Sequence, residues 1–319
     1  MSVEGVIFEV REFCLHDGPG VRTTVFFKGC PLRCAWCHNP EGLSREPQLL
    51  VSAAACTGCG ACEKVCPLGG SAQPRPPDPR FFHSVEGEAA PSRCQSGDPS
   101  RAYRPEACTA CGACVAVCPQ GCRRLCGRRV DAADLAAEVR RHEAFFAASG
   151  GGVTFSGGEP LAQVAFLEAL AACLRPVHLA LETSGFAAPE TYQRAARSVD
   201  LMIQDLKHPD PAAHLRYTGG ELAPILANLA WLKASGRPFI ARIPLIPGVN
   251  DAPDTLEGFA ELLAGRSGLT GVELLPYHLT AGAKYALLGR RFEPPFDPAR
   301  PLNSDVSAFL SRGLPCRVR

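Results

Sequence analysis

Residues 16–41 read HDGPGVRTTVFFKGCPLRCAWCHNPE and carry the first cysteine motif of the chain. The apolar run Val21–Lys28 predicts a β-strand, and a C-x3-C-x2-C loop follows it directly. The motif consists of Cys30, Cys34 and Cys37. Three thiolates suit three irons of a cubane and leave its fourth iron open to a substrate. The spacing alone also permits a closed zinc site in which His38 or Cys14 supplies the fourth ligand.

After residue 127 the sequence alternates strand-like apolar runs with helical patterns. The predicted strands are Val153–Phe155, Val177–Leu181, Val199–Leu206, Phe239–Pro244 and Val272–Leu275. The predicted helices are Asp131–Ala148, Leu161–Leu174, Pro189–Arg197, Leu222–Ala234 and Asp254–Leu263. A parallel sheet with right-handed helical crossovers requires this order. With Val21–Lys28 the predicted strands number six, fewer than the eight of a closed barrel, so we predict an α/β fold with a partial (β/α)6 barrel.

A cysteine- and proline-rich segment, residues 47–126, interrupts this alternation. We predict that it is a small domain inserted into a barrel built from residues 1–46 and 127–319. Fifteen of the 17 cysteines precede the second barrel part, so the metal chemistry belongs to the first third of the chain. Within the insertion, residues 71–80 and 85–101 lack periodicity and apolar residues, which predicts a flexible loop.

Two complete bacterial ferredoxin signatures, C-x2-C-x2-C-x3-C-P, lie in the insertion. Their cysteines are Cys56, Cys59, Cys62 and Cys66, then Cys108, Cys111, Cys114 and Cys118. A zinc ribbon needs only paired C-x2-C units, so the additional cysteines and the prolines favour two [4Fe-4S] clusters. In ferredoxins of this type the fourth cysteine serves the other cluster; by analogy Cys118 would join the first three cysteines and Cys66 the second three. The remaining cysteines are predicted to be buried or incidental thiols: Cys14, Cys94, Cys122, Cys126, Cys173 and Cys316.

Composition restricts the class of partner. Lysine and arginine number 33 against 32 for aspartate and glutamate, so we expect neither a nucleic acid nor an anionic membrane as partner. The N-terminus has no basic region or apolar run of a signal peptide, and no stretch approaches 18 continuous apolar residues. We therefore expect a soluble, cytoplasmic protein in a reducing compartment, where clustered thiolates hold metal.

The text DGPGVRTTVFFKGCPLRCAWCHNPE resembles the radical S-adenosylmethionine (SAM) superfamily, and more narrowly the activating enzymes of glycyl radical enzymes, typified by pyruvate formate-lyase-activating enzyme. The resemblance covers roughly residues 5–45 and 127–290, and the paired signatures are similar to those of the members with a ferredoxin-like insertion. It implies a radical SAM barrel and three [4Fe-4S] clusters, one binding SAM and two auxiliary. It also implies cleavage of SAM to a 5′-deoxyadenosyl radical, which abstracts hydrogen from a glycine of a partner glycyl radical enzyme. Flavodoxin or ferredoxin is the implied electron donor.

The same resemblance assigns residues to SAM at the carboxyl ends of the strands, where the loops of parallel β/α folds form a common ligand site. The implied contacts are Trp36, Cys37 and His38 of the cysteine loop, Gly157, Gly158 and Glu159 of SGGEP (156–160), Thr183, Ser184, Asp205, Lys207, Arg242 and His278. SGGEP is implied to bind the amino group of SAM, and Lys207 to lie near its carboxylate. Taken alone, Trp36 would suit a packing anchor and Asp205 a surface ion pair. The chain has Glu182 and Ser184 in the family's D-T-N-G element, which puts a cation-binding role there in doubt.

Two other functions are compatible with parts of this pattern. Radical SAM enzymes that act on a small molecule or another peptide can also carry auxiliary clusters. An electron-transfer protein with a vestigial barrel would account for the two ferredoxin signatures, but it would leave the first cysteine motif unexplained. The activating-enzyme hypothesis is favoured by the text around the first motif and by the insertion directly after it.

Overall fold

The computed structural model describes residues 2–68, 107–265, 268–278 and 280–319. The predicted loop tracts 71–80 and 85–101, and Cys94, lie outside the described residues. The chain divides into two compact units. The first comprises residues 1–45, 128–279 and 294–319, and the second comprises residues 46–127 and 280–293. Within the described ranges, none of the helices combines the length and the apolar character that crossing a membrane requires.

The strands, in chain order, are β1 (Glu4–Cys14), β2 (Arg22–Phe27), β3 (Gln48–Val51), β4 (Arg123–Cys126), β5 (Arg128–Asp131), β6 (Gly152–Gly157), β7 (Leu179–Thr183), β8 (Leu201–Asp205), β9 (Phe239–Leu245), β10 (Leu269–Pro276) and β11 (Cys316–Val318). The helices are α1 (Ala61–Lys64), α2 (Ala113–Ala116), α3 (Ala132–Arg140), α4 (Glu143–Ser149), α5 (Val164–Leu174), α6 (Pro189–Ser198), α7 (Pro211–Thr218), α8 (Ala223–Ser235), α9 (Pro253–Leu263), α10 (Ala281–Leu287) and α11 (Ser307–Leu310).

The first unit contains a nine-stranded sheet, counted over the described residues, in the order β11-β10-β9-β8-β7-β6-β2-β1-β5. Every neighbouring pair from β2 to β11 is parallel, whereas β1 runs antiparallel to both β2 and β5. The prediction of an α/β fold with a mostly parallel sheet is confirmed, and all six predicted strands are present. The sequence pattern did not predict β1, β5 or β11. The last spans only three residues, too few to show an alternating pattern.

One predicted helix is wrong in its extent. The predicted helix Asp131–Ala148 is replaced by two helices, α3 (Ala132–Arg140) and α4 (Glu143–Ser149). Asp131 caps the first helix, because its carboxylate accepts a hydrogen bond from the Ala133 N–H at 2.8 Å. The chain then turns at Arg141 and His142, where the His142 Nε2 lies 2.8 Å from the Glu12 carboxylate of β1. The helix α7 was likewise not predicted.

Strand β2 is buried along its whole length, including the charged residue that begins it. The Arg22 guanidinium donates from Nε to the Thr154 hydroxyl and from a terminal nitrogen to the Val153 carbonyl, both at 2.6 Å. The Asp17 carboxylate accepts from the Thr24 hydroxyl at 2.5 Å, and the Asp17 carbonyl accepts from Thr154 at 2.6 Å. A buried charge is tolerated only with such partners. Through these hydrogen bonds, the residues of the DGPGVRTT segment hold the loop before β2 against β6.

The second unit contains an antiparallel pair, β3 with β4, and the short helices α1 and α2. Its small core consists of Leu49, Val51 and Cys122, with Cys56, Cys108 and Cys114 among the residues packed against it. Each short helix lies inside one ferredoxin signature. Cysteine side chains therefore make up much of the packed interior of this unit.

Candidate active site

The first cysteine loop, residues 30–37, is fixed at its start and in its middle. The Gly29 N–H donates to the Gly42 carbonyl at 2.7 Å, which joins the residues flanking the loop. The Arg33 N–H donates to the Thr218 carbonyl at the end of α7, also at 2.7 Å. The backbone therefore presents the loop directly beyond the carboxyl end of β2, where ligands bind in parallel β/α folds.

The three thiols of this loop lie in surroundings that oppose free thiolates. Burial raises the pKa of Cys30, Cys34 and Cys37, that of Cys37 to about 12. The nearby Glu159 carboxylate adds to this effect at Cys30, whereas the Lys207 ammonium opposes it at Cys34. Metal binding displaces such protons, and three partly buried thiols on one short loop are a donor set that suits an iron–sulfur cluster. Over the described residues, no three His, Cys, Asp or Glu side chains gather around the position of a single metal ion.

The carboxylate of SGGEP lies in a closed hydrogen-bond network. Glu159 is 1% exposed and accepts from the Thr183 hydroxyl at 2.6 Å, the Ser184 hydroxyl at 2.5 Å and the Ser184 N–H at 2.9 Å. Burial raises the pKa of Glu159, and these hydrogen bonds partly offset that rise. The network joins the ends of β6 and β7. The resemblance assigns Glu159, Thr183 and Ser184 to SAM. These three residues thus form one contiguous cluster.

The glycines of SGGEP allow two backbones to meet. A Cβ added at Gly158 would lie 2.5 Å from the carbonyl oxygens of both Gly29 and Gly42, the residues that flank the cysteine loop. The Gly158 N–H donates to the Phe27 carbonyl, and the Glu159 N–H to the Gly29 carbonyl, each at 2.8 Å. Only glycine fits between these carbonyls. SGGEP therefore packs directly against the base of the cysteine loop.

An ion pair lies beyond the end of β8. The Lys207 Nζ is 3.1 Å from the Asp205 carboxylate, and their side chains are 14% and 20% exposed. Burial disfavours the ammonium, but Asp205 and then Cys34 outweigh it and raise the pKa of Lys207. Lys207 therefore remains a cation beside the cysteine loop, and the pair is not the surface ion pair that the sequence alone would have allowed.

Arg242 is held between two carboxylates on neighbouring strands. Its guanidinium donates to Glu182 of β7 at 2.5 Å and to Glu273 of β10 at 2.9 Å, and its own side chain is 4% exposed. Glu182 also accepts from the Ser156 hydroxyl at 2.5 Å. Burial alone would raise the pKa of Glu182, but Arg242 and Ser156 lower it. The guanidinium of Arg242 therefore joins β7 to β10 through one carboxylate on each strand.

Some predicted residues lie apart from this cluster. His278 is exposed, and the aromatic ring that faces the cysteine loop is that of its neighbour Tyr277, whose centroid lies 5.6 Å from that of His38. Among the residues that the structure describes, none forms a hydrogen bond with the buried Tyr277 hydroxyl. Trp36 is 3% exposed and packs near Tyr217, with the ring centroids 6.2 Å apart, as a packing anchor would.

Sequence reasoning missed Ser156 and Glu273 and treated Glu182 only as a departure from a family pattern. Ser156 opens SGGEP, and Glu273 lies in the predicted strand Val272–Leu275. Their positions in the sequence carried a signal, but their roles depend on which strands are neighbours. A cavity of about 850 Å³, open to solvent, lies beside the network and is lined by Cys30, Glu159 and Phe186 among others.

In the second unit the two ferredoxin signatures have the same local structure. The N–H of Gly58 donates to the sulfur of Cys56, and the N–H of Ala110 donates to the sulfur of Cys108, each at 3.4 Å. Both donors have left-handed backbones, with φ of 72° and 53°. Since non-glycine residues rarely adopt such angles, the shared turn at Ala110 reflects a structural requirement of the motif. Such N–H···S contacts also tune iron–sulfur clusters.

A second cavity, about 390 Å³ including the space open to solvent, lies against the first signature. Its lining contains Cys56, Cys59 and Cys62 together with Cys118, Cys122 and Arg123. The sulfur atoms of Cys118 and Cys122 are 3.3 Å apart.

Three family models match the chain. The Radical SAM superfamily matches residues 106–263, a 4Fe-4S dicluster domain matches residues 55–123 and a 4Fe-4S single cluster domain matches residues 16–57. A domain of pyruvate-formate lyase-activating enzyme from Bacteroides vulgatus aligns with a TM-score of 0.44 and 28% identity, over 53% of this chain and 99% of that one. The sheet, the cysteine loop and the three family models define a radical SAM enzyme with iron–sulfur clusters.

Curated relatives match nearly the whole chain. The choline trimethylamine-lyase activating enzyme of Oleidesulfovibrio alaskensis is 38% identical over 93% of this chain and 91% of its own length. The benzylsuccinate synthase activating enzyme of Thauera aromatica is 37% identical over 97% of this chain and 91% of its own length. The 4-hydroxyphenylacetate decarboxylase activating enzyme of Clostridioides difficile is 33% identical over 99% of this chain and 96% of its own length. The chain belongs to the activating enzymes of glycyl radical enzymes, and it is an oxidoreductase of the radical SAM type.

Proposed function

We propose that Cys30, Cys34 and Cys37 hold the [4Fe-4S] cluster that binds SAM, and that the activated partner is a glycyl radical enzyme. The observation that carries this assignment is the group of three partly buried thiols on a fixed loop, with Glu159 and Lys207 beside them. When bound, the reduced cluster and SAM supply a 5′-deoxyadenosyl radical, which takes a hydrogen atom from a glycine Cα. The match of residues 16–57 to a single-cluster domain supports this position of the cluster.

The remaining predicted contacts stay proposals about SAM. Lys207 and Arg242 supply cationic groups for its carboxylate, and Glu159 supplies an anionic group for its amino end. Their charges are opposite in sign to those of the SAM methionine part, which supports the assignment. The other proposed contacts are Trp36, His38, Gly157, Gly158, Thr183, Ser184, Asp205 and His278. For His278 to take part, its exposed side chain must turn inward when SAM binds.

We also propose that residues 47–126 are a ferredoxin-like insertion into a partial (β/α)6 barrel formed by residues 1–46 and 127–319. The second compact unit, which includes residues 46–127, supports these boundaries, although it also takes in residues 280–293. Over the described ranges, the strand order ends at β5 and β11 without closure. An open sheet suits a substrate that is a peptide loop of another protein.

The insertion is proposed to hold two auxiliary [4Fe-4S] clusters, which makes three in the protein and places the chain in the two-cluster subgroup. The dicluster match supports this number. The cavity shared by Cys56, Cys59, Cys62 and Cys118 supports the crossed assignment, in which Cys66 serves the cluster of the second signature. The auxiliary clusters are proposed to relay electrons from flavodoxin or ferredoxin, or to tune the cluster that binds SAM.

The crossed assignment predicts different results for two matched variants. In a protein that carries Cys56→Ala, Cys59→Ala and Cys62→Ala, one auxiliary cluster is lost and the other remains. Adding Cys66→Ala should then remove the remaining auxiliary cluster, because it deletes one of that cluster's ligands. Adding Cys118→Ala should leave the cluster in place. Iron analysis and electron paramagnetic resonance (EPR) measure both, and the reverse result would show that each signature binds its own cluster.

The partner prediction can be tested with EPR. The anaerobically reconstituted, dithionite-reduced protein should, with SAM, produce a glycyl radical doublet in at least one glycyl radical enzyme among candidates such as choline trimethylamine-lyase and benzylsuccinate synthase. A partner whose radical-bearing glycine is replaced by alanine is the matched control and should give no doublet. SAM cleavage without a doublet in any candidate would instead favour a small-molecule or other peptide substrate.

A further inference from the structure

Charged side chains form a row across four neighbouring strands of the first unit. The strand register pairs Asp205 of β8 with Arg242 of β9, Arg242 with Glu273 of β10, and Glu273 with Arg317 of β11. Their charges alternate in sign along the row. Because directly opposite side chains on one face of a sheet interact, each charge in the row affects the next.

Glu273 divides its two oxygens between different arginines. Oε2 accepts from Arg242, at 3.2 Å from Nε and 2.9 Å from a terminal nitrogen. Oε1 accepts from Arg317 at 2.6 Å and from the Arg319 Nε at 2.9 Å. The carboxylate is 2% exposed. Burial opposes its ionisation, but hydrogen bonds from the arginines outweigh burial and hold the pKa of Glu273 at about 2.

The charge balance shows what the two outer arginines contribute. Asp205 pairs with Lys207, so the charges of these two side chains cancel. Arg242 alone would then face two ionised carboxylates, Glu182 and Glu273, and these three side chains would carry a net charge of −1. Arg317 and Arg319 bring the group of five to +1. A net positive group can attract an anionic ligand to Arg242, whereas a net negative group repels it. The strand β11 thus sets the sign of the charge around Arg242.

We propose that Arg317 and Arg319 are positioning residues for SAM binding, which act by neutralising Glu273 so that the group of charges around Arg242 stays net positive for the carboxylate of SAM. The inference rests on the proposed contact between Arg242 and SAM. Neither outer arginine needs to touch SAM, because its effect passes through Glu273. The Arg317 side chain is 62% exposed. Packing in the core therefore does not explain why an arginine lies at this position.

The test compares SAM affinity in the anaerobically reconstituted protein by isothermal titration calorimetry, together with KM and kcat for SAM cleavage. Arg317→Ala with Arg319→Ala should raise the Kd and the KM about tenfold, since an uncompensated charge a few ångströms from an ionic ligand changes its affinity by about that factor, and leave kcat unchanged. Adding Glu273→Gln to this double variant should restore binding, because the carboxylate that needed neutralisation is gone. A purely structural role would not give this rescue.

Three further variants separate the outcomes. Arg317→Lys with Arg319→Lys keeps the charge and should bind SAM normally. Arg312→Ala removes a nearby arginine that pairs with Glu257 and should also bind normally. Normal SAM affinity in the folded double alanine variant, or a lack of rescue by Glu273→Gln, would overturn the inference. If the double variant does not fold, Arg317→Ala alone serves in its place.

Arg242→Ala tests the proposed function itself. It should weaken SAM binding by more than the double variant does, because it removes the group that contacts SAM. Weak binding in Arg242→Ala with normal binding in the double variant would overturn only the inference about β11. Normal binding in Arg242→Ala would overturn the contact between Arg242 and SAM, and with it the inference.

Discussion

Replacement of Cys30, Cys34 and Cys37 by alanine in one protein should abolish reductive cleavage of SAM. These thiols are the only ligands proposed for the cluster that delivers the electron, and without that electron the sulfonium of SAM is stable. The variant should also contain about four fewer iron atoms than the wild-type protein, which corresponds to one cubane. The measurements are iron analysis and the yield of 5′-deoxyadenosine under dithionite.

The matched control is Cys173→Ala, because Cys173 is an exposed thiol on α5 and is proposed to bind no cluster. It should keep the wild-type iron content and activity. The triple variant should still show the EPR signals of the two auxiliary clusters, which would locate the loss at the first loop. Undiminished 5′-deoxyadenosine formation by the triple variant would refute the assignment of the active cluster.

Gly158→Ala should lower SAM cleavage by about 100-fold, because a displacement of about 1 Å in an active site can have an effect of that size. The added Cβ would lie 2.5 Å from the carbonyl oxygens of Gly29 and Gly42, and these are backbone atoms that cannot rotate away. The cysteine loop must therefore shift. We expect less iron in the cluster that binds SAM and a higher Kd for SAM.

The matched control is Gly271→Ala on β10, where the nearest atom to an added Cβ is the Pro315 carbonyl oxygen at 3.9 Å. This glycine lies in the same sheet but meets no close contact, so the variant should cleave SAM at the wild-type rate. Circular dichroism establishes that both proteins are folded. Full activity of the Gly158→Ala variant would show that the close contact between SGGEP and the cysteine loop is not required.

The iron–sulfur chemistry of this protein follows from short-range sequence spacing. A C-x3-C-x2-C loop directly after a strand, and two C-x2-C-x2-C-x3-C-P runs, identify candidate ligands within a few residues, whereas the pairing of Cys66 and Cys118 with the auxiliary clusters depends on the fold. The alternation of apolar runs with helical patterns likewise predicted the mostly parallel sheet. The extent of Asp131–Ala148 was wrong because a turn at His142 depends on a contact with Glu12, which is distant in sequence.

By itself, the sequence determined the cysteine motifs, the order of strands and helices and the resemblance to a family, because each of these is recorded within a continuous segment. Only the tertiary structure decided that Glu182 and Glu273 share Arg242, and that β11 brings Arg317 and Arg319 to Glu273. Those contacts depend on which strands are neighbours and on their register. A shift of one residue would turn each side chain to the opposite face of the sheet. The charge around the proposed SAM site is therefore a property of the folded sheet and not of any single motif.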